Sequence, residues 1–241
     1  MPTCLLVRHG RTASNAGGVL AGWTPGIGLD DHGQGQVEAL ASRLRDLPIA
    51  SIVASPLQRC RETADALAAG RDLAVTHDER LAECRYGAWT GRSLAELADE
   101  PLWRVVQDQP SAARFPDGDD FEGEGIADMS ARAVAAIREL DAQVAAEHGP
   151  DSLWVAVSHG DVIKAILADA AGTHLDHFQR IVVSPASLSA VRYTPRRPFV
   201  LAVNGVDDVA TLVPPPAPPV ESSDSSEGTD TSGDAAVGGG S

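Results

Sequence analysis

Cysteine is scarce: Cys4, Cys60 and Cys84 are the three in 241 residues, with neither paired close spacing nor a metal knuckle. Disulfides are therefore not expected to hold this fold together, and the cytoplasm, a reducing compartment, is the expected setting. Long apolar runs are missing as well. Without 18 consecutive apolar residues no spanning helix, and hence no membrane partner, is expected. The chain does not open on a basic stretch followed by an apolar one. Met1 to Leu6 lead straight into Arg8 and His9, so export through a signal peptide is not expected. Positive charge is also in deficit, 19 Lys and Arg against 34 Asp and Glu, for a formal net charge of −15. Such a chain repels nucleic acid and anionic lipid at long range, while leaving room for a small basic pocket inside an acidic body.

What is present supports one substantial domain, since 43% of residues are apolar. The composition changes at Pro214. Residues 214–241 contain five acidic residues, no basic ones and no aromatics. This stretch cannot offset its ordering entropy by burial, which predicts a disordered acidic tail rich in Pro, Ser and Gly. Residues 1–213 form the expected domain, still carrying a net −10.

That domain alternates short apolar runs with helical periodicity, the pattern of an α/β fold. Strands are expected at Thr3–Val7, Ala50–Ala54, Leu73–Val75, Leu153–Val157, Ser187–Tyr193 and Phe199–Asn204. The run at 153–157 is apolar throughout, as a central parallel strand buried on both faces should be. Helices are expected over Gln34–Leu47, from Ser55-Pro56 onward, over about Ser93–Val106, over Met129–His148 and over Val162–Ala170. The long connection from Trp89 to Asp128 suggests a cap-like insertion at about 92–128.

Three expected strands end in reactive sequence: Arg8-His9-Gly10-Arg11-Thr12, Ser55-Pro56-Leu57-Gln58-Arg59 and Ser158-His159-Gly160-Asp161. Ligands of open parallel sheets bind at the carboxyl ends of strands, so these distant segments are expected to converge. The resulting pocket of Arg8, Arg59, His9 and His159 suits a small dianion. Arginine presents a rigid fork to phosphoryl oxygens. A neutral histidine with one ring nitrogen fixed is a nucleophile. Gly10 and Gly160 permit close approach of backbone N–H groups. A carboxyl such as Glu83 can protonate a leaving oxygen and then activate water. His174 and His177 lie three apart but lack cysteine or clear acidic partners, so no metal site is expected.

The chain resembles the histidine phosphatase superfamily in its phosphoglycerate-mutase-like branch. Arg8-His9-Gly10 with Thr12 and Asn15 is similar to that family's first signature, Ser55–Arg59 to the second and Ser158-His159-Gly160 to the third. Residues Arg80 to Gly91 resemble the segment that supplies the proton donor, and Gly22-Trp23-Thr24 resembles a loop near the substrate in mutases. The resemblance spans about residues 3 to 205. It implies a three-layer fold, a mostly parallel sheet with helices on both faces. It also implies metal-independent phosphomonoester hydrolysis through a phosphohistidine, with no cofactor. By the same resemblance His9 is the nucleophile, Glu83 the proton donor, and Arg8, Arg59 and His159 the phosphate ligands, with Thr12, Asn15, Gly22, Trp23 and Gly160 toward the substrate. The expected substrate is a small phosphorylated metabolite, and a homodimer is the commonest assembly to expect. Two alternatives stay open. A phosphoglycerate mutase would have to retain a doubly charged ligand, which the acidic cap region Ala113–Glu124 opposes unless Arg85, Arg92 and Arg114 compensate. A non-catalytic phospholigand-binding module would keep the pocket without turnover.

Overall fold

The computed structural model describes residues 1–206 and 237–239. Its sheet is built from β1 (Thr3–Arg8), β2 (Ile49–Ala54), β3 (Val75–His77), β4 (Leu153–Ser158), β5 (Leu188–Tyr193) and β6 (Pro198–Gly205), in the order β3-β2-β4-β1-β5-β6. The first four strands in that order run parallel, β5 pairs antiparallel with β1, and β6 pairs antiparallel with β5. β4 lies between β2 and β1, and Trp154 to Val157 are fully buried. This is the continuous apolar run that burial on both faces requires.

Alternation along β1 divides the core in two. Cys4 and Leu6 face a layer containing Met129, Ala133 and Ile137 of α6 (Ile126–His148) and Ile163 and Ile166 of α7 (Gly160–Ala171). Leu5 and Val7 face Leu40 and Leu44 of α2 (Asp31–Leu44) together with Cys60, Ala64 and Leu67 of α3 (Gln58–Ala68). The result is three layers, a mostly parallel sheet between two helical ones.

Several boundaries differ from the sequence expectation for identifiable reasons. α2 starts three residues early because the Asp30 carboxylate caps it, accepting from Gly33 N at 2.7 Å. The helix expected from Ser55-Pro56 starts only at Gln58. The intervening residues form a turn in which Leu57 N donates to Ser55 Oγ. The single helix expected over 93–106 is two, α4 (Leu94–Leu97) and α5 (Pro101–Asp108). Pro101 has no N–H to continue the ladder and holds Glu100 extended (φ −75°, ψ 138°). The edge strand lies two residues later than expected, at Val75–His77, paired to β2 alone.

Between Trp89 and α6, the side chains of Trp89, Trp103 and Phe115 pack together, with ring centroids 5.3 and 6.3 Å from Trp89. Most of the tail expected at 214–241 lies outside the described residues. Val237–Gly239 are described, and they are not an unpacked tail. They form a short turn with Gly238 in a left-handed conformation, and Val237 is only 1% exposed. An average over the segment's composition cannot register one valine meeting a preformed apolar wall. Among the described residues no helix is long and apolar enough to cross a membrane.

Candidate active site

Parallel pairing sets the site. β2, β4 and β1 are adjacent, with Arg8 opposite Ser158 and Ala54 opposite Val157, so all three end at the same sheet edge. The residues just beyond those ends, Ser55, His159 and His9, meet there. The imidazoles of His9 and His159 have centroids 5.2 Å apart at 61°. His9 Nδ1 lies 2.7 Å from the carbonyl of its neighbour Gly10. A carbonyl only accepts, so Nδ1 carries the proton and Nε2 keeps a free lone pair. His159 Nε2 is hydrogen bonded to Ser55 Oγ at 2.8 Å, and its Nδ1 is 3.9 Å from Glu83 Oε2.

Two guanidinium groups flank the histidines. Arg8 is fully buried. Its Nη1 donates to Val183 O at 2.7 Å, while Nε and Nη2 have no hydrogen-bond partner among the described residues. Buried donors of this kind are costly unless an anion completes them. Arg59, at the start of α3, is 3% exposed and donates through Nη2 to Gly22 O at 2.9 Å. Gly22 holds this carbonyl in place with φ +49°, a left-handed conformation that favours glycine.

The electrostatics separate the titrating groups by role. Burial, reinforced by Arg59 and Arg8, keeps His9 well below the ordinary histidine value. His159 is lowered for the same reasons, with His9 adding to the effect. Both rings are therefore neutral. Glu83 goes the other way: burial, then the Asp161 carboxylate, push it up to about 7 against the pull of Arg59 and Arg8. Burial lowers Arg8 to about 10, still a cation at neutral pH. Cys60 has its Sγ 3.4 Å from His159 Nε2, but burial pushes the thiol up to about 12. It packs against the ring as a thiol rather than serving as a nucleophile.

The Glu83 loop is pinned from behind. Arg132 of α6 donates to the carbonyls of Arg80, Ala82 and Glu83 at 2.7, 2.8 and 3.1 Å. The same guanidinium makes a bidentate pair with Glu124, at 2.6 and 2.8 Å. Trp23 Nε1 also donates to Glu83 O, at 2.7 Å, and the Arg85 guanidinium lies over the Trp23 ring at 4.4 Å.

The residues singled out from sequence are placed as follows. Thr12, Asn15 and Gly22 line the cavity in front of His9, Arg59 and Glu83. Thr12 and Asn15 also form a reciprocal capping box at α1 (Ala13–Ala16). Trp23 lines an adjoining groove with Arg85 and Phe121 instead. Gly160 is a buried first residue of α7, behind the N-cap residue His159, and does not line the cavity. Sequence reasoning did not pick out Ser55, Asp161, Tyr86 or Arg132. Ser55, Asp161 and Tyr86 stand inside segments with visible signals, whereas nothing local marks Arg132.

Residues 4–205 match the sequence pattern of the histidine phosphatase superfamily (branch 1). The probable phosphoglycerate mutase GpmB of Erwinia tasmaniensis is 31% identical over 188 residues, 77% of this chain and 82% of that protein. Bacillus stearothermophilus YhfR superposes with a TM-score of 0.76 at 26% identity, covering 86% of this chain and 98% of its own. A mycobacterial glucosyl-3-phosphoglycerate phosphatase, solved with VO3, gives a TM-score of 0.73 at 28% identity over 84% of this chain and 98% of its own. With two neutral histidines between two buried arginines at the ends of adjacent parallel strands, and a match across the whole sheet, this chain belongs to the histidine phosphatase superfamily, branch 1.

Proposed function

We propose that this protein hydrolyses the phosphomonoester of a small metabolite through a phosphohistidine on His9. The observation that carries this is His9 itself, with Nδ1 tied to Gly10 O, Nε2 bare, and the unpartnered Nε and Nη2 of Arg8 beside it. In the first step Nε2 attacks phosphorus, the P–O bond breaks, and protonated Glu83 gives its proton to the departing alkoxide. In the second, Glu83 as carboxylate takes a proton from water, the water oxygen bonds to phosphorus, and the P–N bond breaks with its electron pair returning to Nε2. Arg8, Arg59 and His159 stabilise charge on the equatorial oxygens. Thr12, Asn15 and Gly22 shape the approach of the leaving group. This sequence of steps calls on no metal or cofactor.

Hydrolysis is favoured over phosphoglycerate mutation by the three arginines that would have to retain a second anionic group. Arg85 pairs with Glu79 at 2.8 Å and Glu122 at 3.1 Å, Arg92 with Glu100 at 2.7 Å, and Arg114 with Asp128. Each is already neutralised by the acidic surround. The relatives' names point to phosphoglyceryl esters as the first compounds to try. The net charge of −15 supports a small metabolite over nucleic acid. Three free, buried cysteines support a cytoplasmic setting. Edge strand β6 exposes Phe199, Leu201 and Val203, the face on which a homodimer would form.

The test is phosphate release from a panel of phosphomonoesters in chelator, with His9→Ala in parallel. Release by the parent and not by the variant is expected. A silent panel from roughly pH 5 to 8, with phosphate still bound, would favour a binding module. Isomerisation of phosphoglycerate without release would favour a mutase.

A further inference from the structure

The cavity in front of His9 is not lined by the domain alone. Val237 and Gly238 stand in it beside His9, Arg59 and Glu83. Val237 is 1% exposed and belongs to the same apolar cluster as Leu20, Tyr86 and Leu97. Gly238 N donates to Asp161 Oδ2 at 3.0 Å. That oxygen also accepts from Tyr86 Oη at 2.9 Å, while Oδ1 faces Lys164, the chain's only lysine, at 3.4 Å. Gly238 has φ +67°, and a Cβ there would sit 2.7 Å from Leu20 Cδ1. One apolar anchor, one charge-assisted hydrogen bond and a backbone conformation that favours glycine make a specific seat rather than a loose contact.

With these residues seated, about 20 Å³ of the cavity stays open. That is room for about one water and not for a tetrahedral oxyanion with an organic group attached. The occupant's composition fits the place. Residues 235–241 carry no charged side chain, so the segment brings no side-chain carboxylate toward Glu83 and Asp161. Thirty residues, 207–236, separate it from the domain. A chain of that length reaches roughly 100 Å when extended, so the tether imposes no geometric bar. It also supplies the segment at an effective concentration on the order of millimolar, enough for a small contact to compete.

We propose that the entrance of the phosphate pocket is a docking site for the chain's own Val237–Gly239 segment, which competes with the phosphorylated ligand for the space before His9. Asp161 Oδ2 is the acceptor that reads the segment's backbone N–H. With the segment undocked, that oxygen faces the ligand and accepts from a hydroxyl or amine of the leaving group. The kinetic side of this inference rests on the phosphatase reading, but the binding side does not.

The experiment compares the full chain with a deletion of 237–241 and with two point variants, Val237→Asp and Gly238→Pro. The first puts a charge on the buried anchor. The second removes the N–H and forbids φ +67°. Orthophosphate affinity is measured by calorimetry, and KM and kcat with a small aryl phosphate. All three changes are expected to tighten orthophosphate about threefold or more and to lower KM by the same factor, with kcat unchanged. A threefold change corresponds to a segment docked about two thirds of the time. A synthetic Ala-Ala-Val-Gly-Gly-Gly-Ser peptide should compete with orthophosphate on the deleted chain. Unchanged affinity and KM in the deletion would overturn docking and leave hydrolysis standing. So would a fall in kcat alone, which marks a structural role. Tighter orthophosphate binding without turnover in any form would uphold docking and overturn the phosphatase reading.

Discussion

Replacing Glu83 by glutamine should damage catalysis and improve stability at once, with both effects set by the same buried carboxyl. Glu83 is 3% exposed, and Cys84 N donates to its Oε1 at 3.0 Å, a bond the amide oxygen of glutamine keeps. The variant is nearly isosteric but has no proton to give and no carboxylate to take one. Loss of general acid–base action costs about 10²- to 10⁴-fold in rate. The loss should be full for an alkyl phosphate, whose alkoxide needs the proton. An aryl phosphate needs none, so its first step survives and a burst of one phenol per site should precede slow release of phosphate. The alkaline limb of the pH profile, set in the parent by Glu83 at about 7, should vanish. Stability moves the other way. The folded state raises this carboxyl from 4.5 to about 7, so it holds a proton the unfolded chain has already lost between those values. The stability associated with Glu83 is intact below about 4.5 and is lost as pH rises through about 7. At about 1.4 kcal/mol for each tenfold change in acidity, the loss is roughly 3 kcal/mol, and glutamine escapes it. His9 and His159, held neutral in the fold, destabilise both chains alike in acid and cancel from the difference. Urea unfolding at about pH 4 and pH 8 should therefore show a Glu83→Gln advantage that grows by about that amount. A constant difference between the chains, or an aryl phosphate that gives no burst because its first step is slowed as much as an alkyl phosphate's, would refute the reasoning.

Arg132→Met removes the three hydrogen bonds that hold the Glu83 loop and leaves Glu124, 12% exposed, without its cation. A loss of roughly 3 kcal/mol in urea unfolding is expected, with kcat reduced far more than KM is raised. Arg8→Lys keeps the charge but gives up the fork whose Nε and Nη2 are unpartnered, so orthophosphate should bind about tenfold more weakly or worse in calorimetry. The three cysteines are all buried and free, and burial raises each thiol. Ellman's reagent should find none of them in the native protein and all three after denaturation.

Strand positions and the convergence of three strand ends were readable because each depends on local pattern. Continuous apolar residues at 153–157 mark a strand buried on both faces, and the polar residues just past each strand can only lie at one sheet edge. Helix limits were less legible where a specific interaction overrode propensity. Asp30 extends α2 toward its N-terminus, and Pro101 divides α4 from α5. Long-range contacts left no local trace. Arg132 reaches the Glu83 loop across about fifty residues, and Tyr86 meets Asp161 across seventy-five. Trp23 shows how a correctly suspected residue can take another place. Its indole N–H is used on the Glu83 carbonyl and its face on Arg85, so it positions the loop beside the cavity. The Val237 seat was invisible for a different reason. A composition that disfavours packing over 28 residues says nothing about one side chain that fits a hole.

The central claim is that His9 Nε2 carries the phosphoryl group between two half-reactions. Rapid mixing of the enzyme with a good phosphomonoester, quenching in alkali to preserve an acid-labile N–P bond, and peptide mapping by mass spectrometry test it most directly. The account predicts one phosphoryl group per chain on His9, accumulating further in Glu83→Gln and absent from His9→Ala. Phosphate release at the parental rate with no phosphorylated His9, or with the group on His159, would contradict it.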